Sequence, residues 1–406
     1  MPDALRDWLD DVFRDRPRWM NVALVFCAYM AFVYVPWDLF LKPVACDEEV
    51  WFGLLFRGHA AKVLEIPHWF VYGALAYGLR RMRPWAGTLA ALYSAQIAFG
   101  MFVWNFRELE GVLLPLFLGT FGAVPFVLLA VAFWTSTAFQ TPRPSLRDRY
   151  GDWALVTGAS AGIGAEFARA LARDGMNVAL SARREDRLRE LATEIEARFG
   201  VETRVVAADL ATPDGAERLA REVESLPVAV LVNNAGVGYA GRFDAQDASR
   251  IRALVQTNCT APAELACRLL PGMRERGRGA VVFTGSVAGR QPLPLHAAYS
   301  ASKSFDNLLA EALYVETRGT GIDVLSLEPG STVSEFHDIA GELPHEGEPA
   351  DRVVATALDA LGRQPSVVSG WFNYLRATLP PRILSRTQLL YIARDVVRGQ
   401  TPERLR

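Results

Sequence analysis

Three stretches near the start of the chain constrain its fold more than anything else in it. Met20–Leu41 carries one charge, Asp38, close to its end, and Ala86–Trp104 and Val112–Phe139 carry none. About 18 apolar residues in a helix span a hydrocarbon layer of roughly 30 Å at ~1.5 Å per residue. A water-soluble helix of that length keeps a polar stripe, and these do not. The first 140 residues therefore read as an all-α transmembrane domain. A second helix in chain order, beginning near Ala60 and including Lys62 and Glu65, makes four spans. The alternative is an interfacial segment, because Trp51–Phe56 and His68–Tyr72 mix aromatic and polar residues as headgroup-level segments do.

Basic residues set the expected orientation. With four spans, one side holds Arg6, Arg14, Arg16, Arg18, Arg80, Arg81, Arg83, Arg143, Arg147 and Arg149, and the other Lys42, Arg57, Lys62 and Arg107. Cationic loops stay in the cytoplasm, so both ends of this domain, and all that follows, are expected there. The leading segment is rich in Asp and lacks a small-residue cleavage site, unlike a signal peptide. Asp38, Glu65 and His68 fall near the predicted boundaries, where solvated side chains are expected. This half distantly resembles the four-helix family that includes the emopamil-binding sterol isomerases, through Pro36 with Asp38, Glu65-Ile66-Pro67 and Leu92-Tyr93-Ser94. No activity follows from motifs that short.

The 406 residues carry 43 Lys+Arg against 45 Asp+Glu. That balance excludes a basic nucleic-acid footprint, and a chain 51% hydrophobic is no disordered protein. Cys27, Cys46, Cys259 and Cys267 show no CxxC spacing, so neither a disulfide scaffold nor a metal site is expected.

Thr141-Pro-Arg-Pro-Ser145 cannot continue a helix, since proline lacks an amide hydrogen and restricts its predecessor. Residues 141–150 read as a linker. Beyond it, short apolar runs alternate with amphipathic stretches: strands at Ala154–Thr157, Val178–Ser181, Arg204–Ala207, Ala229–Val232, Ala280–Thr284, Asp323–Leu327 and Ser366–Val368, and helices such as Arg184–Phe199 and Ala297–Arg318. Such alternation gives an α/β fold, a doubly wound parallel Rossmann sheet covered on both faces, over residues 151–370. Cys259 and Cys267 fall on a helix expected to bury them against that sheet.

Chemistry enters directly after the first of these strands. In Thr157-Gly158-Ala159-Ser160-Ala161-Gly162-Ile163-Gly164, glycines sit between strand and helix, where backbone must approach a pyrophosphate and the helix N-terminus offers amides to it. The second strand ends Ala182-Arg183-Arg184 with no acid. An acid there would bind a ribose 2′-hydroxyl, whereas the planar fork of Arg183 clamps a 2′-phosphate, so NADP (NADPH) is the expected cofactor. Arg184 shares that task or is an ordinary solvated residue. Tyr299 and Lys303, spaced i, i+4, share a helical face. A phenol titrates near ~10, and a fixed ammonium nearby favours its anion. Ser286 ends the preceding strand.

Taken together, residues 151–370 resemble the short-chain dehydrogenase/reductase family. The resemblance rests on Thr157–Gly164, Asp209-Leu210, Asn233-Asn234-Ala235-Gly236, Asn258, Ser286, Tyr299 with Lys303, and Pro329-Gly330. It implies that Tyr299 donates a proton, Ser286 orients the substrate oxygen, and Lys303 holds the nicotinamide ribose while lowering the phenol's pKa. It also implies that Asn258 anchors a relay water. The cofactor would be held by Gly158, Ser160, Gly162, Ile163, Gly164, Arg183, Asp209, Leu210, Asn234, Ala235, Gly236, Tyr299, Lys303, Pro329, Gly330, Thr332 and Ser334. The chain departs from the family at Thr332, where a valine is frequent, while Ser334 keeps the hydroxyl that contacts cofactor.

The implied activity is hydride transfer between NADPH and a ketone or aldehyde by a membrane-anchored enzyme. Its partners would be the lipid bilayer, a lipophilic carbonyl or alcohol, and possible further copies of itself, with no nucleic acid. The same residues serve the opposite direction. A lipid-binding or isomerase module fused to a nucleotide-binding redox domain is the alternative. In the following loop, His337, Asp338, Glu342, His345, Glu346 and Glu348 read as solvated, without metal spacing. Residues 371–406 alternate apolar anchors with arginines. They suit a helix on a membrane surface or across the active-site mouth, and equally one packed on the core.

Overall fold

The computed structural model of the chain describes residues 13, 17–108, 113–136, 144–343 and 346–406. Arg6, Arg14, Arg16, Arg143, His345 and the first residues of the predicted linker lie outside the described residues, as do the side chains of Arg107 and Asp338. Two compact units divide at Arg143/Pro144.

Among the described residues the first unit has four long helices: α1 (Arg18–Phe40), α2 (His59–Arg80), α3 (Pro84–Glu108) and α4 (Leu113–Thr135). Pro36 removes an amide donor from α1, and the turn before it widens to π geometry over Met30–Tyr34. Met20, Leu24, Cys27, Ala31 and Val35 form one buried stripe along α1, in a cluster with Tyr72, Leu75, Ala76 and Leu79 of α2. The opposite face of α1 exposes Val22, Val25, Phe26, Phe32 and Val33, apolar where a soluble helix would be polar. Spans within α1, α3 and α4 are long and apolar enough to cross a membrane. The α2 helix has the length but carries Lys62, Glu65 and His68.

Asp38, Glu65 and His68 are not solvated as expected but buried, as is Asp47. The reason is pairing. Lys42 bonds Asp38 at 3.0 Å and Asp47 at 2.7 Å, and Lys62 reaches Asp47 at 3.3 Å. His68 faces Glu49 at 3.3 Å and hydrogen-bonds Tyr93. Carboxylates can leave water only with such partners. The aromatic segment before α2 is a hairpin. Strands β1 (Glu48–Trp51) and β2 (Leu54–Arg57) pair antiparallel around Phe52 and Gly53, both at positive φ.

The second unit is a seven-stranded parallel sheet of β3 (Trp153–Thr157), β4 (Asn177–Ala182), β5 (Thr203–Ala207), β6 (Val228–Asn233), β7 (Gly279–Thr284), β8 (Ile322–Glu328) and β9 (Ser366–Val368). Their order is β5-β4-β3-β6-β7-β8-β9. Every residue of β6 and β7 is buried, as in a sheet with helices on both faces. Strand order reverses between β3 and β6, where ligands bind at the carboxyl ends of the strands. Helices α5 (Gly162–Arg173), α6 (Glu185–Phe199) and α7 (Ala297–Glu316) accompany the sheet, with α8 (Trp371–Thr378) and α9 (Arg386–Gln400) after it.

Leu146–Tyr150 is helical rather than linker, capped by Ser145, with Tyr150 buried and donating to Asp323 at 2.9 Å. Of the cysteines expected in the core, Cys267 is exposed, and Cys259, on a π turn over Gln256–Thr260, is half-buried.

Candidate active site

A cleft of about 520 Å³ opens above the carboxyl ends of β3, β6, β7 and β8. Its floor begins with the turn after β3. Gly158 and Gly162 have φ of +67° and +54°, which side chains resist. A Cβ on Gly158 would meet the Ala235 backbone at 2.9 Å, and one on Gly162 would meet Ser334 at 2.9 Å. A Cβ on Gly164 would strike the Gly158 carbonyl, so these glycines let helix, turn and the segment after β6 close on one another. Ala161 gives α5 no side-chain cap, and Ala161, Gly162 and Ile163 line the cleft. Open amides at the start of a helix are what a pyrophosphate needs. The residues present fit a dinucleotide.

Thr157 ties this turn to β6. Its hydroxyl accepts from the amides of Asn234 and Ala235, both at 3.0 Å, and donates to the Val232 carbonyl. The Asn234 amide donates to the Thr157 carbonyl at 3.0 Å. Asn234, Ala235 and Gly236 all line the cleft.

At the end of β4 the two arginines separate. Arg183 is exposed and lies outside the cleft lining. Arg184 lines the cleft, donates to Ser160 at 3.0 Å and pairs with Glu335 at 2.7 Å. Arg187 holds the same carboxylate at 2.6 Å, and these hydrogen bonds keep Glu335 below the usual carboxylate range. Asp209 and Leu210 are also outside the lining. The Asp209 carboxylate accepts from Ala211, and Leu210 is buried.

Ser286, Tyr299 and Lys303 meet at the other end of the cleft. Ser286 favours ionisation of the Tyr299 phenol, and its hydroxyl donates to the Pro329 carbonyl at 3.3 Å. Asn307 fixes the Ser286 backbone by donating to its carbonyl at 3.0 Å, and any side chain at Gly285 would collide with Asn307. Lys303 donates to the Thr284 carbonyl at 2.6 Å and to Asp306 at 3.0 Å. Burial works against its charge, but Asp306 and the phenol hold the ammonium above its ordinary pKa. Asn258, fully buried, donates to Val237 and Ser302, both at 2.9 Å, and accepts from the Val237 amide at 2.9 Å.

For Tyr299 the balance differs from the sequence expectation. Burial raises its pKa, Lys303 and Ser286 lower it, and burial wins, so the phenol sits above 10.0. The ammonium acts in the expected direction. At neutral pH the group is a proton donor.

Pro329, Gly330, Thr332 and Ser334 border the cleft beyond β8. A Cβ on Gly330 would crowd the Asn373 side chain at 2.5 Å, so Pro329-Gly330 seats α8. The loop that follows departs from the solvated reading. Glu342 is buried between His337 Nδ1 at 2.8 Å and His296 Nδ1 at 3.5 Å, and all three line the cleft. Glu348 accepts from Ser369 at 2.8 Å. From the far side α9 contributes Leu389, Ile392, Ala393, Val396 and Val397.

A profile of the short chain dehydrogenase family matches residues 152–342. The very-long-chain 3-oxoacyl-CoA reductase of Anas platyrhynchos is 33% identical over 258 residues, covering 60% of this chain and 82% of its own length. The chain belongs to the short-chain dehydrogenase family. As a short-chain dehydrogenase it is an NAD(P)-dependent oxidoreductase. The 7beta-hydroxysteroid dehydrogenase of Collinsella aerofaciens is 31% identical over 238 residues, 56% of this chain and 90% of that one. Among solved structures, a short-chain dehydrogenase from Sphingobium yanoikuyae in complex with NADPH is similar with TM-score 0.53 at 32% identity. The match covers 62% of this chain and 99% of that one. A 7beta-hydroxysteroid dehydrogenase structure gives TM-score 0.58 at 28% identity, covering 61% and 99%.

Asp306, Asn307 and His296 escaped the sequence reading of this short-chain dehydrogenase, whereas the α9 face matches one of the readings made of residues 371–406, a helix across the active-site mouth. Asp306 carried a usable signal, an acid at i+3 from Lys303. His296 and Glu342 carried none, being 46 residues apart in sequence.

Proposed function

We propose that the protein uses NADPH to reduce a lipophilic ketone or aldehyde, anchored in a membrane with its second unit in the cytoplasm. The observation that carries this reading is the convergence of Ser286, Tyr299 and Lys303 on one cleft that also takes in the glycine turn and the apolar face of α9. Kinship with carbonyl reductases and a solved relative in complex with NADPH support it.

In this reading the glycine turn and the α5 N-terminus hold the pyrophosphate, and Asn234–Gly236 and Pro329–Ser334 line the remaining length. The family resemblance assigns Asp209 and Leu210 to the adenine end, although both lie outside the cleft lining. The two arginines after β4 favour a 2′-phosphate, for which Arg184 faces the cleft while Arg183 lies outside its lining. When bound, the nicotinamide supplies a hydride to the carbonyl carbon. Ser286 hydrogen-bonds the carbonyl oxygen and fixes its direction, and Tyr299 gives that oxygen its proton. The Lys303 ammonium favours the phenolate left behind and holds the cofactor's ribose. Asn258 joins Lys303 to solvent through a water, the phenol being reprotonated along that route.

Bilayer anchoring and the apolar cleft wall support a lipid-like substrate. The test is the rate of NADPH and NADH oxidation across ketones of rising chain length. The reading expects NADPH to be preferred and kcat/KM to rise with apolar length. Turnover confined to small hydrophilic ketones would overturn the substrate class, and preference for NADH would overturn the cofactor.

A further inference from the structure

The segment after β9 has two different faces. Its inner face closes the cleft, with Ala377 of α8 and Leu389, Ala393 and Val397 of α9 both buried and lining it. Its outer face leaves Trp371 77%, Ile383 69%, Phe372 57% and Tyr391 57% exposed, with Tyr374 and Leu379 each 50% exposed. A soluble domain does not present that many large apolar side chains on thirty residues without a partner.

Charge narrows the partner. Residues 371–400 contain Arg376, Arg382, Arg386, Arg394 and Arg398 against one acid, Asp395, so the segment is strongly basic in a chain of net charge −2. Asp395 pairs with Arg394 at 2.8 Å. Arg376 lies over the Phe372 ring at 5.6 Å and Arg394 over Tyr391 at 5.0 Å. Aromatic rings interleaved with arginines are the composition of a segment at headgroup depth. There the rings enter the acyl boundary and each basic residue is attracted to an anionic surface. A second copy of the chain fits poorly, because a two-fold contact would set arginine against arginine. The three helices long and apolar enough to cross a membrane would keep a bilayer at high local concentration around this face.

We propose that the outer face of residues 371–400 docks on an anionic lipid bilayer, and that the cleft takes its substrate from that bilayer. The docking stands on the surface itself. The substrate route rests on the function proposed above. A ketone dissolved in the bilayer would reach the cleft along the apolar inner face of α9 without crossing water.

The test uses the full chain, one copy per lipid nanodisc, in phosphatidylglycerol or phosphatidylcholine brominated on the acyl chain. The signal is the quenching lost on Trp371→Phe. Docking predicts quenching of Trp371 in the anionic discs, weakened by Arg382→Glu with Arg386→Glu. Trp371 unquenched in both lipids would overturn it. Quenching that disappears when two copies share a disc would assign the face to a second copy instead. For the route, Trp371→Glu with Phe372→Glu should raise KM about tenfold for a bilayer-dissolved ketone, as local concentration is lost, leaving kcat and a water-soluble ketone unchanged. Equal changes for both ketones, or none, would overturn the route. Absence of NADPH oxidation with either ketone would strike the proposed function, and the quenching result would still decide the docking.

Discussion

Tyr299 shows how far a motif determines chemistry. The spacing of Tyr299 and Lys303 places an ammonium beside a phenol, and the sign of their interaction follows from charge alone. The net pKa does not, because it depends on how much protein surrounds the ring. Burial outweighs Lys303 and Ser286, so the phenol stays above 10.0. A proton donor for reduction must be protonated, and a group with a raised pKa remains so through neutral pH. The rate of ketone reduction should therefore stay level from pH 7 to about 10, the ordinary phenol value, and fall only above it. A falling limb centred near pH 8 in a pH–rate profile would show that the ammonium, rather than burial, sets the phenol. Asp306 belongs to the same balance: it keeps Lys303 charged in a site where an isolated ammonium would lose its proton.

Among the elements, the central strands were legible because a sheet buried on both faces writes itself as continuous apolar runs. β6, Val228–Asn233, is such a run, and the glycine turn was legible because close backbone approach admits little else. What the sequence hid are pairings between distant segments. Glu342 reads as a loop acid until the fold brings His296 to it. Asp38 and Glu65 read as solvated until Lys42, Lys62 and Glu49 surround them. No local pattern encodes such partners. Leu146–Tyr150 was misread because the nearby prolines mark where helix is barred, not where it resumes. The turn itself is testable. In Gly158→Ala the new methyl meets backbone at 2.9 Å with φ at +67°, a strain of about 1–3 kcal/mol. NADPH affinity measured by calorimetry should fall at least about fivefold, with the cooperative unfolding transition retained. Unchanged affinity would mean that the turn does not touch the cofactor.

For the whole molecule, hydropathy and charge distribution carry the reading. Basic residues gather on one side of the expected spans, and the proposed cytoplasmic position of the second unit rests on that asymmetry. NADPH does not cross bilayers, so inverted vesicles from the host membrane should consume added NADPH with a lipophilic ketone. Right-side-out vesicles should do so only after permeabilisation. Equal activity in intact right-side-out vesicles would reverse the orientation. The reductase half was readable from motifs in their family order, whereas the helical half offered only length and apolarity, which establish what it can cross and not what it does.

The most direct measurement compares wild-type protein with Tyr299→Phe at saturating NADPH and a long-chain ketone, with cofactor affinity determined on the same preparations. The account predicts a kcat lower by about 100- to 10,000-fold, the usual contribution of a positioned proton donor, while NADPH binds as before. A Tyr299→Phe protein that binds NADPH and reduces the ketone at the wild-type rate would contradict it.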